Sequence, residues 1–418
     1  MESKGYKRDI IFTVITIIFM LAMGGVIILL EHFLTSSDEV RMTGGNMTPS
    51  NVEKTVMNIW YYDDNMTEYL KECAQEYGKD NMVRVKCTKV NREKFLDNIN
   101  EANMSGSDKP DLYIMDSTYM EKACLAGMAM ENTDNSIYND KKFSKTAISA
   151  IKYKNKMYAY PVNFDTAVLA YNADVVSEVP TTFDDIIDYS NNMSDSINGK
   201  LDNVLMWDVK ELMFSYGFIG AYMKYGGENG DDATVKDFVN EGVNSAMAYY
   251  KNLNQIFYID PDNTDYETVL QKFSEGKIAF TIVDTEGVRR LSDMGDKVNF
   301  LTMKYPDMNE KLKTKAMAVT NVMAVNTFSD NRDEAAKLAE YITYTKAYDM
   351  YNSTGYLSGR KDIKYEDVNM DVLLAQYDAS ENLPKLMEAG DFGAKLENAL
   401  NIIWKGGDVE SNMKELVQ

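Results

Sequence analysis

Carboxylates set beside aromatic rings are the residues of this 418-residue chain whose types and spacing could do chemistry. Asp63 and Asp64 follow Tyr62, Asp116 stands just before Tyr119, Asp165 follows Phe164, and Asp284 and Glu286 close an apolar run. A carboxylate accepts hydrogen bonds from hydroxyl groups and an aromatic face offers a flat apolar floor, a pairing that suits polyhydroxylated ligands. Two carboxyls about 5 to 10 Å apart also suit glycosidic hydrolysis, so a glycoside hydrolase is a rival reading. Several of these residues have plainer roles. Asp63, Asp64 and Asp116 would cap helices, Glu286 would pair with Arg289 or Arg290 on the next turn, and Tyr62 and Tyr119 are as well placed for a core as for a cleft wall. Asp165 is different. It stands between Phe164 and Thr166 in YAYPVNFDTAVLAYN (158–172), where capping does not account for it, and a carboxylate in an apolar strand is costly unless partnered.

Other chemistries are removed by composition. His32 is the single histidine, which excludes a Ser/His/Asp triad or a histidine-rich metal site in the main body. Cys73, Cys87 and Cys124 have no CxxC spacing and read as buried thiols, with a Cys73 to Cys87 bridge as the lesser option. Phosphate-binding glycine motifs and the GxSxG elbow are missing. The acidic run DPDNTDYE (260–267) lacks the glycine and ligand spacing of a calcium loop, and the 28 methionines are scattered. Neither a cofactor nor a metal is expected. A formal charge of −21 argues against nucleic acid and against an anionic lipid surface.

Residues 10–30, IIFTVITIIFMLAMGGVIILL, are uncharged and long enough to cross a bilayer as a helix. Lys4, Lys7 and Arg8 precede them while Glu31, Asp38 and Glu39 follow, so residues 1–9 are expected in the cytoplasm and the rest outside. A cleaved signal peptide is the rival reading. Residues 31–54 are polar and rich in Gly, Ser and Thr, the composition of a tether. From Thr55 short apolar strands alternate with amphipathic helices. TVMNIWYY, MVRVKCTKV and DLYIMD predict three strands, with helices in DDNMTEYLKECAQEY and REKFLDNINEAN between them, a βαβαβ run whose strand ends carry Asp63, Asp64 and Asp116. Further on, a Thr182/Asp185 capping box opens a helix, and GKIAFTIVD and AMAVTNVMAVN read as strands.

The segments PDLYIMDSTYMEKACLAGMAMENT, YKNKMYAYPVNFDTAVLAYNADVV, VPTTFDDIIDYS, FSEGKIAFTIVD, NTFSDNRDEAAKLAEYITYT and STGYLSGRKDI occur in an order that resembles the extracellular solute-binding proteins of ABC importers, in the maltose-binding-protein-like branch for sugars and oligosaccharides. The likeness spans nearly everything from residue 55 onward. It implies an α/β, two-lobe fold with a hinge and an interlobe cleft, here preceded by one transmembrane helix. Lobe one would comprise 55–163 and 303–345, and lobe two 164–302 and 346–418. The implied activity is non-catalytic: an extracellular domain, anchored through residues 10–30, captures a carbohydrate and delivers it to permease subunits. A sensory or adhesion module on the same fold is a further alternative. By resemblance, 158–172 is the first crossing between lobes, with Pro161 ending one strand and Asp165 facing the cleft. Asp64 and Asp116 match ligand-contacting positions. Tyr62 and Tyr119 would wall the cleft, Trp207 would stack on ligand, Asp284 and Glu286 would lie near it, Tyr356 would form a lid and Arg360 a structural anchor. Two departures stand out: relatives in single-membrane bacteria are usually held by a lipidated cysteine, and many carry an aromatic where this chain has Glu286.

Overall fold

A computed structural model describes residues 55–416. The expected tail, membrane helix and tether lie outside them; among the described residues no helix is long and apolar enough to cross a membrane.

The βαβαβ run forms as its periodicity predicts. β1 (Val56–Tyr61) is buried from its second residue onward and pairs in parallel with β2 (Arg84–Lys89) on one edge and β3 (Leu112–Asp116) on the other. α1 (Thr67–Asp80) lays Leu70, Cys73 and Tyr77 against that sheet, and α2 (Phe95–Ser105) adds Phe95, Leu96 and Ile99. Each large apolar side chain withdrawn from water in this way contributes about 1.5–3 kcal/mol. The three cysteines are free thiols, so the Cys73 to Cys87 bridge is not formed; burial pushes the Cys73 thiol up to about 12. α3 (Met120–Leu125) and α4 (Lys145–Ala150) follow on the same half.

Two strands then run through YAYPVNFDTAVLAYN: β4 (Tyr160–Thr166) and β5 (Val168–Asn172). Pro161 was expected to end a strand; it lies inside β4 instead. The ladder with the partner strand shifts register beside it: Val162 is the extra residue between the Asn163 and Pro161 pairings, and bulges are among the places where a strand admits proline. β5 starts a second sheet. Its helix α5 (Phe183–Asn192) opens on the Thr182/Asp185 capping box. After it come β6 (Asn203–Leu205), α6 (Leu212–Ser215), a hairpin of β7 (Lys224–Gly226) and β8 (Asp232–Asp237) that the sequence reading did not anticipate, α7 (Glu241–Phe257), α8 (Tyr266–Ser274), β9 (Ile278–Val283), α9 (Thr285–Ser292) and β10 (Phe300–Met303). The second sheet is ordered β10-β5-β9-β6.

β11 (Met317–Val325) returns to the first sheet between β3 and β4. α10 (Arg332–Glu340) covers that half, and the chain continues through α11 (Met350–Thr354), α12 (Val368–Ala379) and the two-residue β12 (Glu381–Asn382), then α13 (Phe392–Trp404) and α14 (Val409–Glu415). The stretch 346–418, expected as one block of lobe two, is divided. Leu357 bridges to Phe164 and Arg360 to Phe143 on the first half, whereas Phe392, Leu396, Leu400 and Trp404 are buried in the second core.

Where the halves meet, β4, β11 and β12 run side by side, with Thr166 and Asn382 both opposite Ala318 on its two edges. The Thr166 hydroxyl fastens this crossing: it lies 2.8 Å from the Met317 carbonyl, to which it donates, and 2.9 Å from the Ser380 hydroxyl. Thr166 is fully buried, so an isosteric methyl in its place takes the side-chain donor away from the Met317 carbonyl, while the Ser380 hydroxyl keeps its bonds to Gln376. Thr166→Val is expected to lower the unfolding free energy by about 1–3 kcal/mol in a urea titration; an unchanged midpoint and slope would show that the crossing does not depend on it.

Candidate functional site

Asp165 stands one residue before the Thr166 fastening and keeps some contact with solvent. Its Oδ1 accepts from Thr166 N at 2.9 Å on its own strand and from Thr285 N at 3.0 Å, the first residue of α9 on the other half. One carboxylate thus ties both halves through backbone donors. Burial, reinforced by the charge of Asp284, pushes its carboxyl up to about 7, and the two backbone donors pull the other way.

Asp284, Glu286 and Asp165 line one pocket of about 350 Å³ together with Glu211, Phe214 and Tyr266. Asp284 is the N-cap of α9: its Oδ1 accepts from Gly287 N at 2.8 Å and from the Tyr266 hydroxyl at 2.6 Å. The apolar wall is Met213 and Phe214, with the Phe214 ring 4.8 Å from that of Tyr266. Glu211 is pushed up by burial and then by Asp208, Glu397 and Asp284. Arg290, also on the pocket wall, is held bidentately by Glu267 at 2.7 and 2.6 Å, and Arg289 by Asp293 at 3.1 Å. Neither arginine therefore occupies Glu286 in the way the sequence allowed.

On the first half, Tyr62, Asp116 and Tyr119 form a second group. The Tyr62 hydroxyl accepts from Asp116 N at 3.0 Å, while its ring meets Phe95 edge-on at 5.1 Å and lies 5.4 Å from the Arg92 guanidinium. Asp116 Oδ1 accepts from both Thr118 N at 2.8 Å and the Thr118 hydroxyl at 2.7 Å, so the cap reading holds for that oxygen. Tyr119 is exposed. Asp64 is exposed and paired with Lys89, and the capping is done by its neighbour Asp63, which accepts from Asn65 N at 3.0 Å. Tyr356 reaches this loop: its hydroxyl donates to Asp63 Oδ2 at 2.8 Å and accepts from Asn65 Nδ2 at 3.0 Å. Burial raises its phenol, and the charges of Asp63 and Asp165 add to this.

Trp207 is corrected by the structure. It is fully buried in the second core, its ring 5.0 Å from Trp404 and 5.9 Å from Phe218, with its N–H donated to the Ser215 hydroxyl at 3.3 Å. Trp404 comes from near the end of the chain, so no local signal separated a core ring from a cleft ring. Tyr266, Glu211 and Phe214 were missed for a related reason: each sits at or near a helix start that tertiary packing turns toward Asp165, and nothing in its neighbours' types announces this. Arg360 does act as an anchor, donating to Asp362 Oδ1 at 2.9 Å and to the Tyr344 carbonyl.

Residues 72–376 match the family described as bacterial extracellular solute-binding protein. A galactooligosaccharide-binding protein of Bacillus subtilis is 24% identical over 372 residues, 83% of this chain and 84% of that protein. A maltooligosaccharide ABC transporter solute-binding lipoprotein of Streptococcus pneumoniae is 22% identical over 366 residues, 85% and 84% of the two chains. Among solved structures, the extracellular solute-binding protein from Staphylococcus aureus in complex with maltose superposes with a TM-score of 0.77 at 20% identity, covering 87% of this chain and 96% of that one. A cyclo/maltodextrin-binding protein complexed with maltotetraose gives 0.74 at 18% identity, covering 88% and 97%. The α/β architecture is thus that of the maltose-binding proteins, and with a family match over most of its length the chain belongs to the bacterial extracellular solute-binding proteins.

Proposed function

We propose that the chain captures an oligosaccharide at the join between its two halves and passes it to the permease of an ABC importer, held at the cell surface by residues 10–30. The observation that carries this reading is Asp165: a carboxylate bonded to backbone from both halves, beside acidic and aromatic groups that suit sugar hydroxyls and sugar C–H faces. Asp284, Glu286 and Tyr266 would receive the ligand on one side. Asp116, Tyr62, Tyr119 and Tyr356 would receive it on the other, with Asp64 at the rim. A guest touching both sets has more contacts when the halves approach, so closure follows from its differential affinity for the closed form. Hydrolysis has no support from the family, whose members are solute-binding proteins.

Calorimetric titration of the purified full chain with maltooligosaccharides and galactooligosaccharides tests the reading. One of them is expected to bind with one site per chain and no release of reducing ends, and Asp165→Ala to weaken it at least tenfold. Flat titrations across glucans, galactans, xylans and mannans, or turnover of a bound sugar, would contradict it.

Asp165 also makes a pH-dependent prediction. Its folded-state carboxyl binds its proton up to about 7, whereas an unfolded aspartate releases it near 3.9. Between those values the folded state holds more protons than the unfolded one, so stability falls as pH rises; the penalty is absent below the unfolded value and complete above the folded one. Asp165→Asn keeps the acceptor oxygen and removes the charge. The ligand-free variant is expected to be more stable than the parent by about 1–3 kcal/mol at pH 8, with the gap closing toward pH 4. Parallel denaturation curves with a constant gap across that range would show that Asp165 is not desolvated.

A further inference from the structure

A larger cavity, about 540 Å³, lies on the other edge of the crossing strands. β4, which carries Asp165, runs along one edge of β11; β12 runs along the opposite edge, and its Glu381 and Asn382 line this second cavity. One wall is α4 of the first half, through Lys145, Thr146 and Ser149. The facing wall is the hairpin turn at Gly226–Gly230 of the second half, which closes on Lys385: the backbone N–H of Lys385 donates to the Gly230 carbonyl at 2.7 Å. Gly226, Gly227 and Gly230 all have positive φ in this turn, and a Cβ on Gly226 would meet the Gly230 backbone at 2.8 Å, so the wall is a tight turn that only glycine forms.

Lys385 is the unusual residue. It is 2% exposed, and its ammonium donates to the Ser149 carbonyl at 2.6 Å, but among the described residues no carboxylate pairs with it. An ammonium has three N–H donors, and a buried cation with one neutral acceptor is poorly compensated. Burial lowers its pKa to about 8, with Lys152 adding to the fall and the charge of Asp231 opposing it. Lys145 and Lys224 are exposed at the cavity and also lack an ion pair among the described residues, while Lys315 is taken by Glu381 at 2.6 Å. Of the cavity's carboxylates, Glu381 also accepts from Tyr216 at 2.7 Å and Asp378 from Lys145 N at 2.7 Å and Lys361 at 3.2 Å, which leaves Glu228 against three lysines. Asp231 lies outside the cavity lining and accepts from Lys154 N at 2.6 Å; it keeps its charge and partly offsets the burial of Lys385 without an ion pair to it. In a chain of formal charge −21 this is a local surplus of cations around an enclosed lysine.

We propose that this cavity is a second binding site, distinct from the cleft, that takes a small oxyanion, a phosphoryl or carboxylate group, at Lys385 with Lys145 and Lys224 at its mouth. The anion supplies the acceptors that Lys385 lacks, and the glycine turn brings the opposite wall close enough to enclose it.

Thermal unfolding of the full chain in inorganic phosphate and, separately, in citrate, each against sodium chloride of equal ionic strength, tests the site. One or both anions are expected to raise the melting temperature with a saturable dependence at millimolar concentration; phosphate alone identifies a phosphoryl group and citrate alone a carboxylate. Lys385→Met is expected to weaken the apparent affinity at least tenfold. Lys224→Gln, an exposed change that leaves the buried packing alone, is expected to weaken it about threefold and serves if Lys385→Met fails to fold. No shift with either anion, or a shift of equal size in the foldable variants, would overturn the proposal.

Discussion

The structure depends on one carboxylate that answers to two backbones. Asp165 accepts from Thr166 N on β4 and from Thr285 N at the head of α9, and so links the strand that leaves the first sheet to the helix that follows the central strand of the second. Its position is over-determined. Thr166 is fixed by the Met317 carbonyl and the Ser380 hydroxyl, and Thr285 follows Asp284, itself fixed as the cap of α9 and by Tyr266. Charge placed at such a point is expensive, and burial together with the charge of Asp284 raises the carboxyl accordingly. A ligand that donates hydroxyls to Asp165 offsets the desolvation the fold imposes, which makes the same residue both a cost in the free protein and a source of affinity in the bound one.

How much of this was legible follows from the range over which each signal acts. The βαβαβ run was readable because alternation and helical periodicity are local: Leu70, Cys73 and Tyr77 share a face whatever surrounds them. The Thr182/Asp185 capping box was readable for the same reason. Asp165 was legible through contradiction, since a carboxylate in an apolar strand conflicts with its own neighbourhood and functional sites are where such conflicts persist. Pro161 was misjudged because a bulge depends on the partner strand, which enters the chain much later. Trp207 failed likewise: Trp404 and Phe218 decide its surroundings, and neither is near it in sequence in a way that periodicity reports. Tyr266 and Glu211 were invisible because helix starts are polar for many reasons, and their orientation toward Asp165 is set by packing alone.

The two cavities give the crossing strands a two-sided character. On the β4 edge the lining is acidic and aromatic; on the β12 edge it is basic around a buried lysine. The β12-edge cavity draws walls from both halves, whereas the β4-edge cavity is lined by the second half apart from Asp165. Within a strongly acidic chain this separation of sign across three strands joins a buried lysine to exposed ones at the cavity.

Amide hydrogen exchange of the full chain, measured by mass spectrometry with and without a bound oligosaccharide, tests the central claim most directly. If the ligand sits at the join on Asp165, slowing of exchange is expected in peptides that contain Thr166 and Thr285, on both halves at once. Protection confined to one half, or absent from both of these amides while the sugar is bound, would contradict the account.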